Sequence, residues 1–349
     1  MNESWQKFLA DYNVIFDPDS GSRFDDADAE IKAASTGDVL ADLSHLGLIK
    51  AEGEDASSFL LGQLTNDLNQ VDDSHSQISA YCTPKGRMLA LFRILRRDQQ
   101  YLLQAPESVV ETVLPRLRMY VMRAKVTLEP ATELVAIGVS GPRTESAMQD
   151  LVGQCPIKIN DSVAVAGISV VRLPGPFPRF LLVGETEPVK AIWRQLADAF
   201  TAVGMAAWSW LDIMAGQPTV VSATSEAFVP QMANLDVIDG VNFKKGCYPG
   251  QEIVARMQYL GKLKQRMYRA HVDTDTPPAA GDSLFAPAFR DQSAGTIVDA
   301  RHSPDGGFDM LAVIQIRAVD EGKLHLGSVG GPAVTITELP YELPTAKEA

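Results

Sequence analysis

Asn242-Phe243-Lys244-Lys245-Gly246-Cys247-Tyr248-Pro249-Gly250-Gln251-Glu252 packs two glycines and a proline into the stretch Gly246–Gly250. Such a density of turn formers predicts a tight, exposed bend. A cysteine between Gly246 and Tyr248 then stands outside any regular element. Lys244, Lys245 and Arg256 lie close in sequence, and positive charge favours a thiolate and lowers its pKa. After the bend, Glu252 and Arg256 sit four apart at the start of an expected helix, a favourable pair. Backbone N–H groups at such a helix start can also hold an anion. The plain alternative is a turn with an incidental cysteine; the number of constrained positions favours function.

The chain has 349 residues and a formal net charge of −13, with 46% apolar and 21% charged residues. That balance is ordinary for a globular protein of two or three domains and argues against a disordered chain. The acidic total also argues against a general nucleic-acid binder. The charge is uneven. Residues 1–40 carry an excess of six acids, whereas residues 85–125 and 241–270 each carry an excess of six bases. Two basic stretches on an acidic chain suit one positive groove, or two solvated faces that never meet. Cys82, Cys155 and Cys247 show no paired spacing, which disfavours a disulfide framework and suits a reducing, cytoplasmic compartment. No signal-like start is visible, no apolar run approaches a membrane span, and the five histidines lack metal-ligand spacing.

The apolar pattern predicts a strand over 41–51, a helix over 55–69 on Leu60, Leu64 and Leu68, and a hairpin over 79–95 turning at Pro84-Lys85-Gly86. A helix follows Pro106, with Val109, Val110, Val113, Leu114 and Leu117 buried. Strands are expected over 134–140, 168–173 and 179–183. A helix from Pro188 buries Val189, Ile192, Trp193, Leu196 and Phe200 and stops at Gly204. Trp208 and Trp210 alternate as on a strand. From about Gln265 short strands dominate, at 267–273, 295–301, 308–317, 323–327 and 333–338, without helical periodicity. The expectation is an α+β fold over residues 1–262, in two subdomains, followed by a small β-barrel domain over 263–349. Cys82 and Cys155 read as core fillers, and His271 and His325 as barrel-strand residues.

The string Lys245-Gly246-Cys247-Tyr248-Pro249-Gly250-Gln251-Glu252 resembles the K-G-C-Y-x-G-Q-E signature of the YgfZ family, folate-binding relatives of the glycine-cleavage T-protein (aminomethyltransferase). Further segments agree. Phe228-Val229-Pro230-Gln231 with Asn234-Leu235 is similar to the family's F-[IV]-P-Q-x-x-N-L lead-in. Leu60 to Asp67 is similar to L-x-G-Q-x-T-x-D, Lys85-Gly86-Arg87 to K-G-[KR], and Tyr120 to Val126 to Y-x-x-[RS]-x-K-V. Leu211 to Pro218 is similar to [IL]-x-x-G-x-P. The resemblance spans about residues 40–270, and the terminal barrel fits by architecture alone.

This resemblance implies T-protein-like subdomains around a central channel that binds tetrahydrofolate, with no permanently bound metal. It implies a role in assembling or repairing iron–sulfur enzymes, including those of tRNA thio-modification. Client enzymes and folate are then the expected partners, and neither a membrane nor strong direct binding of tRNA is expected. By the same resemblance, Cys247 and Lys245 are the candidate catalytic residues. Tyr248, Gln251, Glu252, Arg123, Gln231 and Asn234 are the candidate folate-binding residues. Read from its chemistry, Gln251 can serve a pterin as donor and acceptor or cap the helix start. One departure matters. T-proteins carry a catalytic carboxylate after the K-G turn, where this chain has Ala90 and Leu91. Neither can move a proton or stabilise an iminium, so a folate-dependent aminomethyl transferase is the alternative reading rather than the first.

Overall fold

The protein, seen as a computed structural model, is described over residues 2–17, 21–290 and 292–344. The chain divides into two compact units: Met1–Phe59, Leu68–Gln77 and Phe92–Leu211 form one, and Leu60–Asp67, Ile78–Leu91 and Asp212–Ala349 form the other. The barrel itself starts at Gln265, but the unit that contains it reaches back to Asp212 and collects two earlier segments.

In the first unit, a six-stranded sheet runs in the order 162–165, 168–173, 179–185, 134–140, 39–42 and 201–203. All neighbours are antiparallel except the last pair, which is parallel. Helix Thr186–Leu196 buries Val189, Ile192, Trp193 and Leu196 against it, on the i, i+3, i+4, i+7 spacing that makes one face of a helix apolar. Trp5 of the helix Glu3–Leu9 meets Trp193 edge to face at 5.4 Å. A second sheet pairs Gln100–Pro106 with Leu46–Glu52, and Leu46–Glu52 with Thr127–Pro130. Helix Glu107–Met119 packs on it through the five expected apolar residues and carries Pro115 within its length.

Three expectations over residues 39–69 and 205–214 fail. The strand expected over 41–51 is two strands, Val39–Asp42 and Leu46–Glu52, separated by a turn in which Leu46 N–H bonds Leu43 O. The helix expected over 55–69 is only Ala56–Leu61. Leu60, Leu64 and Leu68 are indeed fully buried, but Leu64 pairs with Tyr81 in a β-bridge, so burial there comes from tertiary pairing and not from a helix face. Trp208 and Trp210 lie in the helix Met205–Met214 rather than a strand. Trp208 packs under the Arg179 guanidinium at 3.8 Å.

The second unit is built on a closed barrel of Gln265–Val272, Phe308–Gln315, Ser293–His302, Ser283–Phe285, Leu324–Leu326 and Ala333–Thr337. Closure removes the edges that an open sheet would expose. His271 and His325 sit on its strands as expected. The 283–285 strand was not anticipated, nor was the short helix Ile316–Glu321 that ends the region read as one strand over 308–317. Alternate residues fill the barrel, among them Ala270, Val272, Met310 and Ala312. Their neighbours Met267, Leu311 and Val313 face outward onto Ile78, Ala80, Cys82, Met88 and Phe228. This second core explains why the 78–91 hairpin and the 212–262 segment join the barrel in one unit.

Candidate functional site

The 83–87 hairpin turn is the floor of the site. Gly86 N–H donates to Thr83 O, and Thr83 N–H to Arg87 O, both at 2.8 Å. Pro84 stands at the second position and Gly86 at the fourth, with φ +71°. Across from it, Tyr248-Pro249-Gly250-Gln251 forms a turn with Pro second and Gly third, Gly250 having φ +84° and Gln251 N–H bonding Tyr248 O at 3.1 Å. That is the residue pattern of a type II turn, whose third position demands positive φ. The two turns touch backbone to backbone. A Cβ on Gly250 would lie 2.5 Å from Thr83 O and 2.7 Å from Gly86 Cα. Gly250 then opens the helix Gln251–Tyr259.

Two further segments brace the loop. Met88 N–H bonds Phe228 O at 2.9 Å, Glu226 N–H bonds Met88 O at 2.7 Å, and the Arg87 guanidinium donates to Ala227 O. The 226–231 lead-in is thereby zipped to the hairpin. From the other side, Thr65 Oγ1 donates to Gly240 O at 2.8 Å, Asn66 Nδ2 to Asp239 O at 2.6 Å, and Asn242 N–H to Thr65 O at 3.0 Å. The segments read in sequence as 60–67, 85–87, 228–235 and 245–252 therefore converge within one unit.

Lys245 points inward. Its ammonium donates to Leu61 O, the last carbonyl of the helix Ala56–Leu61, and at 2.6 Å to Leu64 O, just beyond it. Cations are favoured at a helix C-terminus. The same ammonium lies 4.8 Å over the buried Tyr248 ring. Burial pushes the Lys245 pKa down to about 8, with the charges of Asp67 and Cys247 acting the other way. In the sequence Asp67 is only the end of the 60–67 motif; the fold brings its charge toward Lys245. Since 8 lies below the ordinary 10.5, the unfolded chain holds a proton that the native chain has lost between those values. Stability through this group is thus lower below pH 8 and recovers as pH rises across the window. Competitive acylation across that range, read by mass spectrometry, should show Lys245 reaching half-maximal reactivity near pH 8. A midpoint at 10 or above would remove this picture of a half-buried amine.

Cys247 is the exposed cysteine; Cys82 is buried and Cys155 half-buried. Burial pushes the Cys82 thiol up to about 12, and burial with the Glu145 charge raises Cys155. The structure gives the other candidates distinct places. Glu252 is exposed and Gln251 half-exposed at the helix start. The Gln251 amide donates back to Lys245 O at 3.4 Å, so its side chain tethers the loop rather than capping the helix. Tyr248 is buried, which raises its hydroxyl pKa. Gln231 and Asn234 are buried struts: Gln231 Nε2 donates to Val254 O at 2.7 Å, and Asn234 Nδ2 to Met267 O at 2.8 Å. As placed, the Asn234 amide is engaged by protein on both atoms, with Met267 N–H bonding its oxygen, which argues against its expected folate contact. Arg123 is exposed and belongs to the first unit.

The basic stretch 241–270 is also sorted by the fold. Arg266 is buried in a two-point ion pair with Asp236, at 2.6 and 2.9 Å, and Lys245 is turned inward. Lys244, Arg256, Lys262 and Lys264 remain exposed. A cavity beside Arg266 and Gln231 measures about 60 Å³, room for water and not for a pterin. A larger cavity of about 300 Å³ in the first unit is lined by Trp5, Leu48, Val110 and Leu114 and includes none of the candidate residues. Among the described residues, no cluster of His, Cys, Asp and Glu could hold a metal ion, and no helix is long and apolar enough to cross a membrane.

Comparison with known proteins defines the class first. The family model of the GCVT N-terminal domain matches residues 6–170. The glycine cleavage system aminomethyltransferase T from Bartonella henselae superposes with a TM-score of 0.77, covering 97% of each chain at 16% identity. The fold is that of the T-protein. The tRNA-modifying protein YgfZ of Colwellia psychrerythraea is 34% identical over 305 residues, 87% of this chain and 93% of that relative. YgfZ of Pectobacterium carotovorum subsp. carotovorum is 29% identical over 314 residues, 90% of this chain and 94% of its own. The chain belongs to the YgfZ family.

Proposed function

We propose that this protein binds tetrahydrofolate and supports assembly or repair of iron–sulfur enzymes, those of tRNA thio-modification among them, through Cys247. The observation that carries the reading is the setting of that residue. Four signature segments hold one exposed thiol on a braced turn, while the other two cysteines are withdrawn from solvent to differing extents. The tRNA part leans on the relatives, which are named tRNA-modifying proteins.

The donor set at the loop suits a pterin. Gln251, whose amide uses one N–H on Lys245 O, has a second N–H and an oxygen to offer, and Glu252 a carboxylate at the helix start; pterin recognition needs both a donor and acceptors. The anionic glutamate tail of folate suits Lys85, exposed on the 83–87 turn of the same unit. Bound folate would supply a one-carbon carrier; the chain's own residues hold and orient it, and Lys245 fixes the thiol-bearing turn to the 61–64 carbonyls. The formal charge of −13 argues against tight binding of bare tRNA, so modification chemistry is left to client enzymes in the cytoplasm.

The alternative, a folate-dependent aminomethyl-type transferase, needs a carboxylate that the chain lacks. Ala90 is fully buried and Leu91 nearly so, both on the Met88–Arg97 strand. Incubation with tetrahydrofolate and an aminomethyl donor should give no steady turnover. Sustained product formation would favour the transferase and overturn the assembly reading.

A further inference from the structure

The helix Gln251–Tyr259 buries only Val254 and turns most of its surface outward. Ile253 is 39% exposed, Tyr259 66% and Leu260 84%. Single exposed apolar residues are normal, but neighbouring ones mark contact surfaces. Phe243, just before the loop, meets Tyr259 edge to face with ring centroids 6.1 Å apart. An edge-on neighbour supports the Tyr259 ring without stacking on it.

The segment from Phe243 through this helix to Lys264 also carries Lys244, Arg256, Lys262 and Lys264, all exposed. From 241 to 264 the sole acid is Glu252. On a chain whose formal charge is −13 this is a local reversal of sign along the sequence, and the exposed Cys247 lies within the stretch. Cations alone would suit any polyanion, and apolar residues alone any protein. An exposed aromatic ring among cations fits a strand of unpaired nucleotides, one of whose bases stacks on Tyr259 while its phosphates meet Lys and Arg.

We propose that this face takes a single-stranded stretch of RNA, a loop or an end of a tRNA, and brings it beside Cys247. The tRNA identity rests on the function proposed above; the surface and its chemistry do not. The acidic remainder of the chain keeps the contact loose, in the micromolar or weaker range typical of non-specific RNA contacts, with a Kd of roughly 10⁻⁴ to 10⁻⁶ M at physiological salt.

The test is fluorescence anisotropy with an unmodified tRNA transcript, a short uridine oligomer and an RNA duplex of equal length, at low and at physiological salt. The oligomer and the tRNA should bind and the duplex should bind more weakly. Three or four phosphate contacts predict a slope of log affinity against log salt of about −2 to −3. Tyr259→Ala should weaken oligomer binding about tenfold, the loss of one stacked base. Lys262→Glu with Lys264→Glu should weaken it further and flatten the slope. All these side chains are exposed, so unchanged melting curves verify that the variants fold. Oligomer binding unaffected by Tyr259→Ala, or a polyglutamate peptide competing as well as the oligomer, would overturn the proposal in favour of a docking face for an acidic protein. Thio-nucleoside levels in cells are a separate readout: their independence of this protein would defeat the proposed function while leaving RNA binding by the purified chain to stand or fall alone.

Discussion

Under the proposed function, Cys247→Ala should abolish support of tRNA thio-modification while leaving the fold intact. The two halves of that result come from different properties of the residue. The side chain is exposed, so removing its sulfur opens no cavity, and exposed substitutions away from caps and strained sites usually cost less than about 0.5 kcal/mol. The chemistry has no substitute, because Cys82 lies in the hairpin core with its thiol pKa pushed up to about 12. A thiol that does not ionise is a poor nucleophile and a poor metal contact. Cys155 belongs to the first unit and packs against its core. In cells carrying only the variant, mass spectrometry of digested tRNA should show thio-nucleosides at the level of the deletion strain, with protein abundance and melting temperature unchanged. Normal thio-nucleoside levels would remove the thiol from the mechanism.

The second large effect is structural. Gly250→Ala should lower the melting temperature by several degrees and detach the cysteine loop from the hairpin. The positive φ of Gly250 costs an alanine on the order of 1 kcal/mol or more. Its Cβ would also press within 2.5 Å of Thr83 O and 2.7 Å of the Gly86 backbone. Backbone cannot swing aside as a side chain can, and overpacking of this kind costs roughly 1–3 kcal/mol. Gly246→Ala is the matched control, since a Cβ there meets nothing within 4 Å. Calorimetry of the pair should separate them clearly. Equal melting temperatures would mean that the contact between the two turns does not hold the loop.

Much of this arrangement was legible in the sequence because it is written in turn formers and apolar periodicity. Pro84, Gly86, Pro249 and Gly250 announce two tight bends wherever they occur. The helices at 107–119 and 186–196 follow from their apolar spacing, although the second ends at Leu196 instead of running to Gly204: Phe200 is buried as expected but lies beyond it, before the strand Thr201–Val203. What was illegible depends on partners distant in sequence. Leu60, Leu64 and Leu68 have helical spacing, yet Leu64 pairs with Tyr81 and the helix stops at Leu61. Trp208 and Trp210 alternate like strand residues on a helix buried nearly all round, where two-residue spacing carries no information. At the site, the motifs named Gln231 and Asn234, but their burial, and the role of Asn234 in tying the 230–235 turn to the barrel strand at Met267, could only come from coordinates. Lys245 was marked by its neighbour Cys247; that it reaches the carbonyls of Leu61 and Leu64 required the fold.

In the proposed function a ligand and a thiol share one loop and do separate work. Calorimetric titration of tetrahydrofolate into the wild type and into Cys247→Ala tests that division most directly. The prediction is saturable binding to both, with affinities that agree within about twofold, a difference below about 0.5 kcal/mol. Absence of measurable tetrahydrofolate binding to the folded wild type would contradict it.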